Sequence, residues 1–274
     1  MGSGSAERSP CIPVLLYHAV TDTPGEQIRP FTVSPAEFAN QLDAILAAGY
    51  ECVTFGEMIR REATGNGMSA RMAVITFDDG YADFAEHALP ALRARSLVST
   101  LYVTTGWLEG AGVREPGPTD RMLSFSQLPE LLAEGVELGA HSHGHPQLDT
   151  LSAAALRAEL RRPKQLLEDA LGRPVTTFAY PHGYNGPRVR RLVREAGYDS
   201  GAGVRNALHR RGEDRFAISR LTLTRETSIT TFSGWLHGVG AMADSSREAW
   251  KTRGWRAYRR GRAIVTRRPG SDYR

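Results

Sequence analysis

The sequence has few cysteines and no long hydrophobic run. Only two of its 274 residues are cysteine, Cys11 and Cys52, and we expect two free thiols because nothing indicates an oxidising compartment. No stretch approaches the roughly 18 consecutive apolar residues of a membrane-spanning helix. The first ten residues also lack the apolar stretch of a signal peptide, which predicts a cytoplasmic protein. If a leader has been removed, we expect the protein to be secreted or at the cell surface instead.

The chain also lacks an internal repeat and the glycine-rich fingerprint of a dinucleotide-binding fold. No such fingerprint follows the first predicted strand, Ile12 to Val20, which disfavours a Rossmann domain. Instead, short apolar runs alternate with helical segments along the chain. This alternation predicts βα units, a parallel sheet and right-handed crossovers. The length suits one α/β barrel, which commonly needs about 250 residues.

Capping residues and glycines predict where the helices begin and end. Ser34 and Glu37 form a capping box at the start of a helix that Gly49 ends. Further helices are expected from Ser126 to Gly135, from Ser152 to Leu171 with an interruption at Pro163, and from Ile229 to about Met242.

Two adjacent carboxylates end the third predicted strand, Arg71 to Phe77. Asp78 and Asp79 come directly after it and are followed by Gly80. Neighbouring strand residues point to opposite faces, but a turn at the glycine lets both carboxylates reach one pocket. Two like charges so close repel unless a cation or a proton lies between them. We interpret the pair as a metal ligand beside a carboxylate base; a plain strand-to-helix turn is the alternative.

Three histidines lie within five residues after a later strand. His141 and His145 are four residues apart, which suits a metal if the segment is a helical turn or a tight loop. With one carboxylate they make a set that leaves positions open for water and substrate, as catalytic zinc requires. Iron(II) and other divalent ions suit the same ligands. A histidine-rich surface turn is the alternative.

A metal-dependent hydrolase also needs an acid and a site for an oxyanion. His18 follows the first strand and is the candidate acid, because imidazole titrates near neutral pH; a structural histidine is the alternative. The turn Tyr180-Pro-His-Gly183 places backbone N–H groups at a sharp bend that could stabilise an oxyanion, unless it is an ordinary Pro/Gly turn. These residues follow strands, whose ends meet on one face of a barrel.

Three segments together resemble the first three motifs of the polysaccharide deacetylase family (carbohydrate esterase family four). They are Thr76-Phe-Asp-Asp-Gly80, His141-Ser-His-Gly-His145 and Phe178-Ala-Tyr-Pro-His-Gly183, in the family's order. The resemblance covers about Ile12 to Leu236. It implies a distorted (β/α) barrel of about seven parallel strands. It also implies hydrolysis of the linear amide of an N-acetylated amino sugar, with release of acetate.

The resemblance assigns roles to the matching positions. Asp78 is the implied catalytic base. Asp79, His141 and His145 are the implied ligands of a divalent metal, with Zn²⁺ expected and Co²⁺, Mn²⁺ or Ni²⁺ as alternatives.

The acid histidine of the family's late motif has no good counterpart in this chain. The segment Leu16-Tyr-His-Ala-Val20 instead resembles the early motif of a circularly permuted branch that includes poly-N-acetylglucosamine deacetylases, so the acid role falls to His18. Ala179 stands where the family often has an arginine that orients the base, and Arg220, in a strand predicted over Phe216 to Leu223, is the candidate replacement. His182 replaces a usual tyrosine, and its backbone N–H is the implied oxyanion donor.

Three functions follow from these observations. The first is de-N-acetylation of a glycan or glycoconjugate that contains N-acetylglucosamine. The second is a deacylase or amidase acting on a small-molecule or lipid-linked acetamido sugar in a biosynthetic pathway. The third, a non-catalytic carbohydrate-binding barrel, is disfavoured by the intact set of acidic and histidine residues.

The charge distribution predicts three parts: a disordered start at residues 1–10, a polysaccharide deacetylase-like catalytic domain at residues 11–242 and a basic tail at residues 243–274. The bases of the tail are Arg247, Lys251, Arg253, Arg256, Arg259, Arg260, Arg262, Arg267, Arg268 and Arg274. Trp250, Trp255 and Tyr258 interleave with them. Such a tail suits weak contact with an anionic membrane surface or a polyanion, although a solvated tail explains it equally well. We expect a carbohydrate substrate and no nucleic-acid partner; the sequence does not give an oligomeric state.

Overall fold

The computed structural model describes residues 11–69, 71–111 and 115–243. The start predicted at residues 1–10 and nearly all of the predicted basic tail lie outside the described residues. The three-part division of the chain therefore stays a prediction.

A curled parallel sheet forms the centre of the molecule. The strands, numbered along the chain, are β1 (Cys11–Ile12), β2 (Val14–Tyr17), β3 (Ala19–Val20), β4 (Thr32–Val33), β5 (Glu51–Val53), β6 (Met72–Phe77), β7 (Thr100–Val103), β8 (Glu137–Ala140), β9 (Thr177–Ala179), β10 (Ser200–Ala202), β11 (Ala207–Arg210), β12 (Leu221–Thr222) and β13 (Met242–Ala243). The main sheet has the order β10-β9-β8-β7-β6-β2-β12, and β5 also pairs with β6. All of these pairings are parallel, and the expected barrel of about seven parallel strands is confirmed.

Residues 218–222 connect the two ends of the curled sheet. Ile218 forms a bridge with Ala202 of β10, whereas Leu221 pairs with Leu15 of β2. The strand predicted over Phe216 to Leu223 is therefore wrong in extent, because the segment crosses from one edge strand to the other and pairs with each only briefly. Arg220 lies between the two contacts.

Seven α-helices pack around the sheet in the described part of the chain. They are α1 (Pro35–Ala47), α2 (Phe55–Thr64), α3 (Leu89–Arg93), α4 (Leu128–Ala133), α5 (Ala153–Leu171), α6 (Pro187–Glu195) and α7 (Ile229–Leu236). Six of them bury residues against the outer face of the sheet, whereas Phe55, Met58 and Ile59 of α2 pack into the interior of the barrel. A π-helical segment, Phe84–Ala88, precedes α3. The Ser34 hydroxyl accepts a hydrogen bond from the N–H of Glu37, so the predicted cap of α1 is confirmed.

Three helix predictions are wrong in detail. The cap before α4 is Ser124, in a capping box with Gln127, rather than Ser126. Helix α5 runs through Pro163 without a break, because a proline removes only one hydrogen bond of a 19-residue helix whose buried face also holds it. Helix α7 ends at Leu236, and a left-handed Gly238 follows it.

Two faces of the sheet hold two apolar clusters. Alternate strand residues point to opposite faces. Val14 and Val74 belong to the cluster inside the barrel, whereas Leu15 and Ile75 belong to the cluster beneath the helices. Both cysteines are thiols, as expected. Among the described residues, no helix has both the length and the apolar character needed to cross a membrane.

Candidate active site

A tight turn at the end of β6 directs two neighbouring carboxylates into one pocket. The alternation that places Val74 and Thr76 inside the barrel also directs Asp78 inward. Asp79 would point outward, but its φ of 76° lies in the left-handed region, and the N–H of Gly80 donates to the C=O of Asp78 over 3.0 Å. This is the hydrogen bond of a γ-turn centred on Asp79. The sequence predicted a turn at the glycine; the structure places the sharpest bend one residue earlier.

Asp78 is held by a buried arginine. The guanidinium of Arg220 donates two hydrogen bonds of 2.7 Å to the two oxygens of the carboxylate. It donates a third to the C=O of Gly203 at 2.9 Å. Burial raises the pKa of Asp78, but the charge of Arg220 and its two hydrogen bonds to the carboxylate oppose burial, and the pKa is lowered. Asp78 is thus an ionised carboxylate with fixed orientation.

Asp79 lies beside two histidine rings. Its Oδ1 is 3.5 Å from Nε2 of His141 and 3.4 Å from Nε2 of His145. Ligand atoms of the three residues all lie within 4.8 Å of one another, and all three residues are buried. Burial and the neighbouring charge of Asp78 hold the pKa of Asp79 well above its usual range.

These three residues fit a divalent metal. Two ligands bound about 2.1 Å from a tetrahedral ion lie about 3.4 Å apart, which matches the distances from Asp79 to both rings. The Oδ1 atom of Asp79 is buried and accepts no hydrogen bond from the described residues, as expected of an oxygen reserved for a cation. One carboxylate oxygen and two imidazole nitrogens are donors that Zn²⁺ and other borderline ions accept.

The histidines present the correct nitrogen for such a role. Nδ1 of His141 is 2.9 Å from the C=O of Ala179, so this nitrogen carries the proton. Nε2 keeps its lone pair and lies 3.5 Å from Asp79 and 3.6 Å from Asp78. Burial lowers the pKa of His141 to about 4, Asp78 acting in the opposite direction. Burial also lowers the pKa of His145 well below its usual range. Both rings are neutral, which is the form that binds metals.

His18 lies on the same pocket, half-buried. Burial lowers its pKa to about 4, although the charge of Asp78 acts in the opposite direction. Its Nδ1 accepts no hydrogen bond from and donates none to the described protein atoms. The ring lies 5.2 Å, centroid to centroid, from that of Phe31.

His182 occupies a strained turn after β9. Its φ of 57° is left-handed, and the N–H of Gly183 closes the turn onto the C=O of Tyr180 at 2.8 Å. The imidazole ring lies 4.6 Å from the ring of His145. The turn predicted from the sequence is therefore present, and it lies beside the residues that could hold a metal.

A cavity of about 490 Å³ contains all of these groups except the buried Arg220. Its outer wall is formed by Gln27, Ile28 and Phe31, and Phe31 is 41 % exposed. Sequence reasoning missed this wall, because a polar loop followed by a single phenylalanine carries no chemical motif.

A larger cavity of about 640 Å³ is lined by the first residues of β8, β9 and β10. It lies at the opposite ends of the strands and contains neither histidine nor the Asp78–Asp79 pair.

The sequence and the fold match those of known deacetylases. The model of the polysaccharide deacetylase family matches residues 65–201. A poly-beta-1,6-N-acetyl-D-glucosamine N-deacetylase of Staphylococcus aureus is 21 % identical over 219 residues, which cover 77 % of this chain and 74 % of the relative. Two solved structures share the fold. The deacetylase PplD of Streptococcus pyogenes, in complex with acetate, has a TM-score of 0.72, is 23 % identical and covers 81 % of this chain and 96 % of that one. IcaB of Ammonifex degensii has a TM-score of 0.71, is 23 % identical and covers 84 % and 98 %.

The curled α/β barrel, the Asp-His-His cluster at the carboxyl ends of its strands and the matching family model together place the chain in the class of metal-dependent amide hydrolases. Within that class, the chain belongs to the polysaccharide deacetylase family. The resemblance noted in the sequence is confirmed. The family's enzymes act on the amide bonds of N-acetylated sugars and depend on a metal.

Proposed function

We propose that the protein removes the N-acetyl group from an amino sugar within a glycan or glycoconjugate and releases acetate. The observation that supports this function best is the pairing of two different carboxylates in one pocket. Asp78 is fixed and charged by Arg220, whereas Asp79 has a buried oxygen directed at two neutral imidazoles. One carboxylate is suited to hold a cation and the other to accept a proton.

Asp79, His141 and His145 would hold the metal, and Zn²⁺ is the ion we propose. When bound, a cation of this kind lowers the pKa of water and polarises a carbonyl group. Asp78 is ionised and directed into the pocket, so it can accept the proton of the water that attacks the acetamide carbon. The turn at His182 would donate its backbone N–H to the oxygen that gains negative charge.

His18 would deliver a proton to the departing nitrogen. Because its pKa is about 4 in the free site, the ring is neutral at pH 7 and must gain a proton during the reaction. The proton that Asp78 accepts from the attacking water is the available source, and its transfer to His18 would return Asp78 to the carboxylate form. As the bond from carbonyl carbon to nitrogen breaks, the amine leaves with that proton and the acyl group leaves as acetate.

The replacement Asp78→Asn tests the assignment of the base. The amide keeps the size of the side chain but removes the proton acceptor, and we expect turnover to fall by about 10²–10⁴-fold. Metal content should stay unchanged, because Asp78 is not among the three proposed ligands. Acetate release and elemental analysis measure the two quantities. Wild-type acetate release by the purified Asp78→Asn protein would refute the mechanism.

A panel of N-acetylated sugars tests which substrate the protein accepts. Oligomers of β-1,6-linked N-acetylglucosamine, chitooligosaccharides and small acetamido-sugar conjugates should be compared by kcat/KM. Acetate release from oligomers supports a glycan substrate, whereas release from the small conjugates alone would favour the deacylase of a biosynthetic pathway. Absence of turnover and of bound metal would support the non-catalytic barrel.

We also propose that the basic C-terminal segment makes weak contact with an anionic membrane surface, and that the protein is cytoplasmic unless a leader directs it elsewhere.

A further inference from the structure

The loop that carries both histidine ligands has a strained backbone. It connects β8 to the 3₁₀ turn before α5, and two of its residues, Ser142 and His145, have left-handed φ angles of 63° and 55°. Neither is glycine, so each costs roughly 1–2 kcal/mol relative to an ordinary conformation. Such a loop keeps its shape only if surrounding groups hold it.

One side of the loop is held by the segment after β7. The N–H of Thr105 donates to the C=O of Ser142 at 3.3 Å, and the N–H of Gly106 donates to the C=O of His143 at 2.8 Å. The hydroxyl of Thr105 also lies 2.9 Å from Nδ1 of His143. These contacts engage carbonyl groups of the loop and leave the N–H groups of His143 and Gly144 to another partner.

Glu159 of α5 is that partner. Its Oε2 atom accepts hydrogen bonds from the N–H of His143 at 2.9 Å and from the N–H of Gly144 at 2.8 Å. Glu159 is half-buried at the edge of the apolar face of α5 that contains Leu156 and Leu160. A single carboxyl oxygen therefore binds the centre of the loop, midway between the two histidines that would hold the metal.

We propose that Glu159 is a positioning residue for the metal site, which fixes the spacing of His141 and His145 through the backbone between them. It touches neither imidazole. This inference rests on the proposed function, since it concerns the ligands of the same metal. Residues that orient ligands from outside the coordination sphere typically change metal affinity or activity by about 10–100-fold when replaced.

Four variants separate positioning from simple helix stability. Glu159→Gln keeps an oxygen acceptor at the same length, whereas Glu159→Asp keeps the charge but withdraws the oxygen by one methylene. Glu159→Ala removes the acceptor. Asp169→Ala, an exposed acidic residue of the same helix, is the matched control.

Two readouts test the proposal, one with metal and one without. Zn²⁺ affinity, measured by competition with a chromophoric chelator, should fall about 10–100-fold in Glu159→Ala and Glu159→Asp, stay close to wild type in Glu159→Gln, and be unchanged in Asp169→Ala. In the metal-free protein, the amide hydrogens of His143 and Gly144 should exchange faster in the same two weakened variants. If Glu159→Ala does not fold, the comparison of Glu159→Asp with the Asp169→Ala control tests the proposal.

The proposal is overturned if Glu159→Asp binds Zn²⁺ and exchanges these amides as the Asp169→Ala control does. It is also overturned if Glu159→Gln is as weak as Glu159→Ala while Glu159→Asp binds Zn²⁺ as the wild type does, because then charge and not position matters. Failure of the proposed function gives a different result. A wild-type protein that binds no Zn²⁺ would refute the metal site, while the exchange rates would still show whether Glu159 holds the loop.

Discussion

Arg220 decides the charge of Asp78, because burial alone would favour the neutral acid. In Arg220→Met the buried carboxylate loses its partner, so its pKa should rise and the acidic limb of the pH profile of kcat/KM should move to higher pH. Removing one member of a buried ion pair costs about 3–5 kcal/mol of stability. Chemical denaturation and the pH profile measure the two effects.

Arg220→Lys is the control for this prediction. It keeps the positive charge but loses the paired hydrogen bonds of 2.7 Å, so we expect a smaller shift of the acidic limb than in Arg220→Met. An acidic limb that stays in place in both variants would show that the arginine does not control the ionisation of Asp78.

We expect Asp79 to make metal binding depend on pH. Burial and the charge of Asp78 raise its pKa well above the usual range, so in the metal-free protein a proton occupies the carboxylate at pH values where an ordinary aspartate is already ionised. A cation must displace that proton. Zn²⁺ affinity should therefore rise with pH, and titration calorimetry in buffers of different ionisation enthalpy should detect proton release. An affinity independent of pH, with no proton release, would contradict the role of Asp79.

A buried ion cluster joins two elements on the side of the barrel away from the site. Nε2 of His209, in β11, lies 3.0 Å from Glu62 of α2, and its Nδ1 lies 3.4 Å from Glu213. Burial lowers the pKa of His209, but the two carboxylates outweigh burial and raise it. The folded state therefore binds this proton more tightly than the unfolded chain does.

The His209 cluster should stabilise the fold most at low pH. Its contribution is complete below the unfolded pKa, about 6.5, and is lost as pH rises through the higher folded value. Between these values the free energy of unfolding falls with pH. We expect the free energy of unfolding, measured by urea denaturation, to fall less between pH 6 and pH 8 in His209→Gln than in the wild type. An unchanged difference in the variant would show that the ring is neutral in the folded protein.

Local sequence signals predicted most of the helices and strands, but they failed where contacts between distant residues determine the extent of an element. The apolar run before Asp78 and the serine cap of α1 act through neighbours in sequence, so both were predictable. The extent of the strand around Arg220 was not, because two edge strands share that segment. Pro163 was expected to interrupt α5, but tertiary packing of the helix outweighs one lost hydrogen bond.

The same distinction applies to the site. The motif spacing predicted that Asp78, Asp79, His141 and His145 would meet, since the ends of parallel strands share one face of a barrel. It could not predict the left-handed backbone of Asp79, which depends on the hydrogen bonds of the turn. Nor could it predict Glu159, whose partners are backbone N–H groups 15 and 16 positions earlier in the chain and carry no side-chain signature.

Charge is unevenly distributed over the whole molecule. Residues 244–274 contain ten Lys and Arg but three Asp and Glu, a net charge of +7, whereas the whole chain carries +4. The remaining 243 residues therefore carry −3. An anionic surface would attract the C-terminal segment and repel the rest of the protein, so charge favours contacts that this segment makes.

Vesicle binding should depend on this segment and on salt. Each base close to an anionic bilayer contributes about 1 kcal/mol, so replacing Arg259, Arg260 and Arg262 by Glu should abolish sedimentation of the full chain with phosphatidylserine vesicles. Wild-type binding should also disappear at roughly 1 M salt, where the Debye length is about 3 Å. The control reverses three exposed bases elsewhere, Arg161, Arg162 and Arg211, and should still bind, because it leaves the C-terminal segment unchanged. Acetate release from soluble oligomers should stay unchanged in the tail variant, because none of the three replaced bases belongs to the proposed catalytic or metal-binding set. Equal sedimentation of both triple variants would show that the tail is a solvated extension without a membrane partner.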